Sequence, residues 1–122
     1  MSKILSRSRK SACTAQAGLC FYCRCAMWVH SADELTQTYG ITQKQAKKLQ
    51  CTAEHLLPRS EGGSELPENI VAACLHCNGA RHKRKKPPTP YKYLALVRSR
   101  VADGRWHPRE VTRAFHGASA PQ

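Results

Sequence analysis

The sequence has 122 residues, 41% of them hydrophobic, which is enough for one compact domain with short extensions and too little for two independent cores. Twenty Lys and Arg stand against eight Asp and Glu, a formal charge of +12, so a polyanionic partner is expected, with nucleic acid ahead of an anionic membrane surface. No run approaches the ~18–20 apolar residues of a membrane span, and no apolar stretch follows the charged start to make a secretory signal, so a cytoplasmic protein without a membrane is expected.

Residues 1–18 read as a basic arm with Lys3, Arg7, Arg9 and Lys10, either loosely ordered or a short helix docked by Ile4 and Leu5. The motif Cys20-x-x-Cys23 follows, and Cys74-x-x-Cys77 repeats its spacing. Seven cysteines, an odd count without a secretory signal, argue against a disulfide framework. Two thiolates three positions apart on a knuckle turn can face one ion, and two such knuckles complete the closed tetrahedral Cys₄ site that zinc favours. Cys25 is an alternative to Cys23. Cys13 and Cys51 have no paired spacing and read as small buried hydrophobes.

Ala26 to Val29 can continue the first knuckle as a short strand. Ser31-x-x-Glu34 and Thr42-x-x-Gln45 are capping-box patterns, predicting helices over 31–39 and 42–50 with Gly40 as the stop, an insertion spanning 31–50. From Cys51 an extended run reaches Pro58, Glu61-Gly62-Gly63-Ser64 signals a turn, and Asn69 to Ala73 reads as the return strand of a hairpin. After the second knuckle, Asn78 to Lys86 is a helix candidate stopped by Pro87 and Pro88. Thr89-Pro90 opens another helix, with Leu94, Val97 and Val101 on one face and Gly104 at its end, and Pro108 starts a last short helix closing near Gly117. Eleven of the twenty basic residues fall between Arg81 and Arg113.

Glu54 and His55 end the first predicted strand, Asn69 begins the second, and Asn78 directly follows the last paired cysteine. A carboxylate and an amide oxygen are hard donors suited to a divalent cation such as Mg²⁺, and a neutral imidazole beside them suits a general base. Adjacent strand residues point oppositely, so Glu54 and His55 serve one site only if the pleat breaks there. Taken alone, a Glu-His dipeptide is usually two solvated residues, and Asn69 and Asn78 are ordinary strand-start and helix-cap residues; the placement of all four between the paired knuckles raises the functional reading above that. His76 reads as a surface residue inside its knuckle, and His30, His107 and His116 join no constellation.

The run Cys20-x-x-Cys23, Glu54-His55-x-x-Pro58, Gly62-Gly63, Asn69-Ile70, Cys74-x-x-Cys77-Asn78 and Lys83 resembles the HNH endonuclease family, the zinc-containing ββα-metal nucleases. The resemblance covers about half the chain. It implies a small α+β fold, a ββα-metal core with a Cys₄ zinc knuckle pair and flanking short helices. It further implies His55 as general base, Glu54 and Asn78 as ligands of a catalytic Mg²⁺ or Mn²⁺, and Asn69 as the residue bracing the loop and orienting the histidine. Glu54 stands where the family usually has Asp, and Asn78 where it often has His; His82, one helical turn on, is an alternative ligand. The expected organisation is a basic arm over 1–18, a zinc-bound nuclease domain over 19–86, and a basic helical segment over 87–122. Phosphate contact is expected from Arg81, Lys83, Arg84, Lys85 and Lys86. The function so read is hydrolysis of phosphodiester bonds in double-stranded DNA, by nicking or double-strand cleavage, leaving 5′-phosphate and 3′-hydroxyl ends, with a homodimer or a larger phage, restriction or mobile-element complex as the candidate assembly. The competing reading is a non-catalytic zinc-ribbon module that binds nucleic acid.

Overall fold

A computed structural model describes residues 2–116. The expected helix end at Gly117 lies outside the described residues. Helix α1 (Lys3–Ala15) starts where the Ser2 hydroxyl accepts from the Leu5 amide at 3.0 Å, a side-chain N-cap. The N-terminal segment is therefore helical, and it docks through Leu5, Ser8 and Cys13 while Ile4 stays exposed. The Gln16 side chain ties this helix end to the hairpin by bonding both the amide and the carbonyl of Ala72, at 2.9 and 2.8 Å.

The central element is an antiparallel pair, β1 (Cys51–His55) with β2 (Ile70–Cys74), in the register Cys51 to Cys74 through His55 to Ile70. Helix α1 packs against both strands, and α4 (Leu75–His82) also contacts both. The intervening loop contains two short 3₁₀ turns, Arg59–Glu61 and Pro67–Asn69, so Asn69 closes a turn where a strand start was expected. Helix α4 begins three residues before Asn78 because Cys74 is its N-cap, its sulfur accepting from the Cys77 amide at 3.4 Å. It also ends at His82, so Lys83 to Lys86 lie beyond the helix that was expected to contain them.

The insertion holds two short helices, α2 (Asp33–Tyr39) and α3 (Gln43–Lys47), separated by Gly40 at φ 70°. Thr42 and Gln45 form the full capping box. At α2 the helix starts later than expected, and Ser31 bonds the Asp33 amide while Glu34 reaches back to the Ser31 amide. The expected strand over 26–29 reduces to two isolated bridges, Leu19 to Ala26 and Trp28 to Gln50. Helices α5 (Pro90–Ala102) and α6 (Arg109–His116) complete the fold. Thr89 caps α5, and Tyr93, Val97 and Val111 enter the same core as Tyr22, Leu49 and the cysteines, with Tyr22 and Tyr93 edge to face at 4.8 Å. No helix among the described residues is long and apolar enough to cross a membrane.

Candidate metal centres and the strand-end site

The two knuckles meet as the spacing requires. Cys20, Cys23, Cys74 and Cys77 are all fully buried, and their sulfurs lie within 4.8 Å of one another, a group that can hold a metal ion. The Cys23 and Cys74 sulfurs are 3.9 Å apart, close to the ~3.8 Å edge of a tetrahedron built on Zn–S bonds of about 2.3 Å. The first knuckle closes with the Arg24 amide on Cys20 O, Arg24 taking a left-handed φ of 65°. The Tyr22 and Cys74 amides donate to the Cys20 sulfur, and the Trp106 indole N–H donates to Cys77 Sγ at 3.2 Å, so thiolate charge is met by polar groups in the surrounding shell. Arg98 from α5 donates to the carbonyls of Phe21 and Tyr22, clamping this knuckle.

On the α4 side of the hairpin, Glu54 is 1% exposed. Its Oε2 accepts from Tyr22 Oη at 3.0 Å and Arg81 Nη1 at 3.1 Å, and its Oε1 lies 3.0 Å from His82 Nε2. Burial, reinforced by the Glu54 charge, pushes the Tyr22 hydroxyl well above its usual range, so it remains a donor to that carboxylate. Asn78 joins the same side, its Nδ2 donating to Thr52 Oγ1 at 3.0 Å and Ala53 O at 3.2 Å, which leaves Oδ1 to act as an electron donor. His82 is exposed, so this cluster opens to solvent.

His55 occupies the last strand position, where the pleat does not break: His55 pairs with Ile70, and the Leu56 amide still bonds Asn69 O. Its ring meets Arg59 Nε at 3.3 Å and Glu65 Oε2 at 3.9 Å, and the charges of Glu54 and His82 also act on it, so at this last strand position Glu54 and His55 lie within electrostatic reach of each other without a break in the pleat. Burial, then the Arg59 charge, hold its pKa below the usual imidazole value, so it is neutral at neutral pH. Asn69 stitches the following loop, accepting from the Leu57 amide and donating to the carbonyls of Leu57 and Ser64. Gly63 lets that loop close: a Cβ there would stand 1.7 Å from Leu57 O.

Residues 42–84 match the family model described as HNH endonuclease. This segment is similar to the HNH endonuclease family. The match runs from α3 through both strands and α4, a segment that holds Glu54, His55, Asn69, Asn78 and the second knuckle. No curated protein and no solved structure matches the chain. The HNH assignment suggests a nuclease-type function for this α+β domain.

Of the basic residues assigned to phosphate, Lys83, Arg84, Lys85 and Lys86 are exposed at the end of the HNH segment. Arg81 stands apart. It is 3% exposed and spent on Glu54 and on Pro88 O, an internal counter-charge. Sequence spacing gave no sign of Tyr22 and Arg81 as partners of Glu54, because each meets it from a distant position. It also passed over His107, which is buried near Cys23 and Cys25, and His116, whose Nε2 is 3.6 Å from Cys25 Sγ. Nothing in local spacing links these histidines to cysteines some eighty residues away.

Proposed function

We propose that this chain is a metal-dependent endonuclease that hydrolyses phosphodiester bonds of double-stranded DNA. The observation that carries this reading is the meeting, at the end of β1, of a buried carboxylate flanked by an imidazole and an amide with a second, neutral imidazole at the next residue. Glu54 Oε1 and His82 Nε2 are 3.0 Å apart, the separation of two neighbouring ligands of an octahedral ion at about 2.1 Å each. The donor set fits a divalent cation held by Glu54, His82 and Asn78. An imidazole in that set favours Mn²⁺ over Mg²⁺. When bound, the ion supplies positive charge to the scissile phosphate and to the departing 3′ oxygen.

The remaining steps belong to the chain. His55 accepts a proton from the attacking water, which adds to phosphorus in line with the departing 3′ oxygen and leaves 5′-phosphate and 3′-hydroxyl ends. Arg59 keeps the His55 ring unprotonated through its charge, and the bond it donates to Nε2 gives way to the attacking water, because a neutral ring has a single lone pair to take the proton. Asn69 holds the loop that carries Arg59 and Glu65. Arg81 and Tyr22 hold Glu54 at a fixed angle beneath α4. The exposed Lys83, Arg84, Lys85 and Lys86 bind backbone phosphates on either side of the cut. The four-cysteine group holds a structural zinc that ties α4 to the first knuckle.

A second reading has one observation behind it. Both Glu54 oxygens already have protein partners, as they would in a non-catalytic zinc-ribbon module. Incubation with supercoiled plasmid and Mn²⁺ or Mg²⁺ separates the two. Nicking that stops with EDTA and is lost in His55→Ala supports the nuclease; binding without nicking under every metal supports the module.

A further inference from the structure

We infer that the four-cysteine site is half of a two-metal centre, with a second ion held by Cys25, His107 and His116 and with Cys23 shared between the two ions. This rests on the zinc reading of the four-cysteine site. The sulfurs of Cys23 and Cys25 and a ring nitrogen of His107 lie within 4.8 Å of one another, and all three residues are buried. Cys23 belongs to both groups. His116 approaches this group from the last turn of α6, its Nε2 3.6 Å from Cys25 Sγ, although it is not one of the three residues whose ligand atoms all lie within 4.8 Å of one another. That length matches the ~3.6 Å edge of a tetrahedron with a Zn–S bond of about 2.3 Å and a Zn–N bond of about 2.1 Å.

A second, independent observation points to a ligand. His107 is only 8% exposed, and its buried Nε2 has no hydrogen-bond partner among the described residues. A buried imidazole nitrogen without a partner is costly unless something is bound to it. Charge argues the same way. Four thiolates around one divalent ion leave two excess negative charges in a volume that excludes water, and a second divalent ion brings two positive charges against one further thiolate.

The donor set of two sulfurs and two imidazole nitrogens selects zinc, or a soft surrogate such as cadmium, over the hard cation proposed at Glu54. The consequence is local. Helix α6 has eight residues and buries only Val111 fully, so apolar packing alone anchors it weakly. His107 precedes this helix and His116 ends it; an ion between them and the first knuckle fastens α6, with Arg109 and Arg113, to the zinc end of the molecule.

Elemental analysis and native mass spectrometry of the full chain, saturated with zinc and freed of excess, test this. Two zinc per chain are expected, falling to one in Cys25→Ser and in His107→Asn. In the cadmium-113 protein, two resonances are expected, one from a four-sulfur site and one from a mixed site, each split by the other through the shared Cys23 sulfur. One zinc per chain at saturation overturns the second site and leaves the first standing; a folded chain with none overturns both. Two zinc retained in Cys25→Ser also overturns the proposal. If that variant does not fold, the wild-type cadmium spectrum decides, because unsplit or single resonances exclude a shared sulfur.

Discussion

His82 Nε2 stands 3.0 Å from Glu54 Oε1, joining the last turn of α4 to the fourth residue of β1. The other oxygen of the same carboxylate is held by Arg81, one residue earlier on the same helix, and by Tyr22 from the first knuckle. A single buried carboxylate therefore faces a fixed cation on one side and a solvent-open imidazole on the other. Metal ligation through His82 and structural pairing through Arg81 are then separable by substitution.

His82→Ala and Glu54→Ala should each raise the concentration of Mn²⁺ needed for half-maximal plasmid cleavage, by about tenfold or more, and zinc content should not change. Arg81→Ala should instead lower stability by roughly 3–5 kcal/mol, since it strands a buried carboxylate beside a hydroxyl that cannot neutralise it. Urea unfolding with and without Mn²⁺ measures both. Equal effects of His82→Ala and Arg81→Ala on metal requirement would count against the ligand assignment.

His55→Ala should reduce cleavage by about 10²-fold or more with folding and DNA affinity retained, the usual size of a general-base contribution. The pH dependence has a definite sign. Burial and Arg59 lower the folded pKa of His55, so the acidic limb of cleavage should lie below the pH expected for an ordinary imidazole. Arg59→Ala removes a repelling charge and should move this acidic limb to higher pH. Glu65→Gln removes an attracting one and should move it lower. Rate against pH for the three proteins decides it.

Asn69→Ala removes three loop bonds, to the Leu57 amide and to the carbonyls of Leu57 and Ser64. Turnover should fall more than DNA affinity, because a positioning group is gone while the groups that bind phosphate stay. Gly63→Ala should be as damaging, since its Cβ cannot share space with Leu57 O. The His55 ring resonances should shift in both variants, and unchanged resonances with full activity would show that the loop does not orient the ring.

Cys74→Ser should unfold the chain, as structural sites of this kind contribute their binding energy to folding. Trp106→Phe should preserve the fold and weaken zinc retention about 10–100-fold, because it deletes the N–H that meets Cys77 Sγ. Competition with a chromophoric chelator reads this directly.

Replacing Lys85 and Lys86 with Gln should weaken binding to all duplex sequences alike and flatten the slope of log affinity against log salt by about 0.9 for each phosphate no longer neutralised. The same change at Arg81 should leave that slope unaltered, because its guanidinium is occupied inside the protein.

Much of this is legible in residue order. Paired C-x-x-C spacing determines that two knuckles can face one ion, because each pair needs only a local turn. The stop at Gly40, the Thr42 capping box and the Thr89-Pro90 helix start are likewise local, each fixed by bonds within a few residues, and the hairpin is legible as two extended runs on either side of a glycine turn. The start of α4 is not legible in the same way, because its cap is Cys74 itself, a side chain whose spacing points only to metal ligation. What only the tertiary structure decided is which side chains meet from far apart. Arg81 turns from an expected phosphate contact into the counter-charge of Glu54 because the inner face of α4 lies on the sheet while its basic continuation does not. His107 and His116, unremarkable in sequence, reach Cys25 only because α5 and α6 fold back over the first knuckle. Local bonding can be read from spacing; long-range contact depends on how helices pack, and no short pattern encodes it.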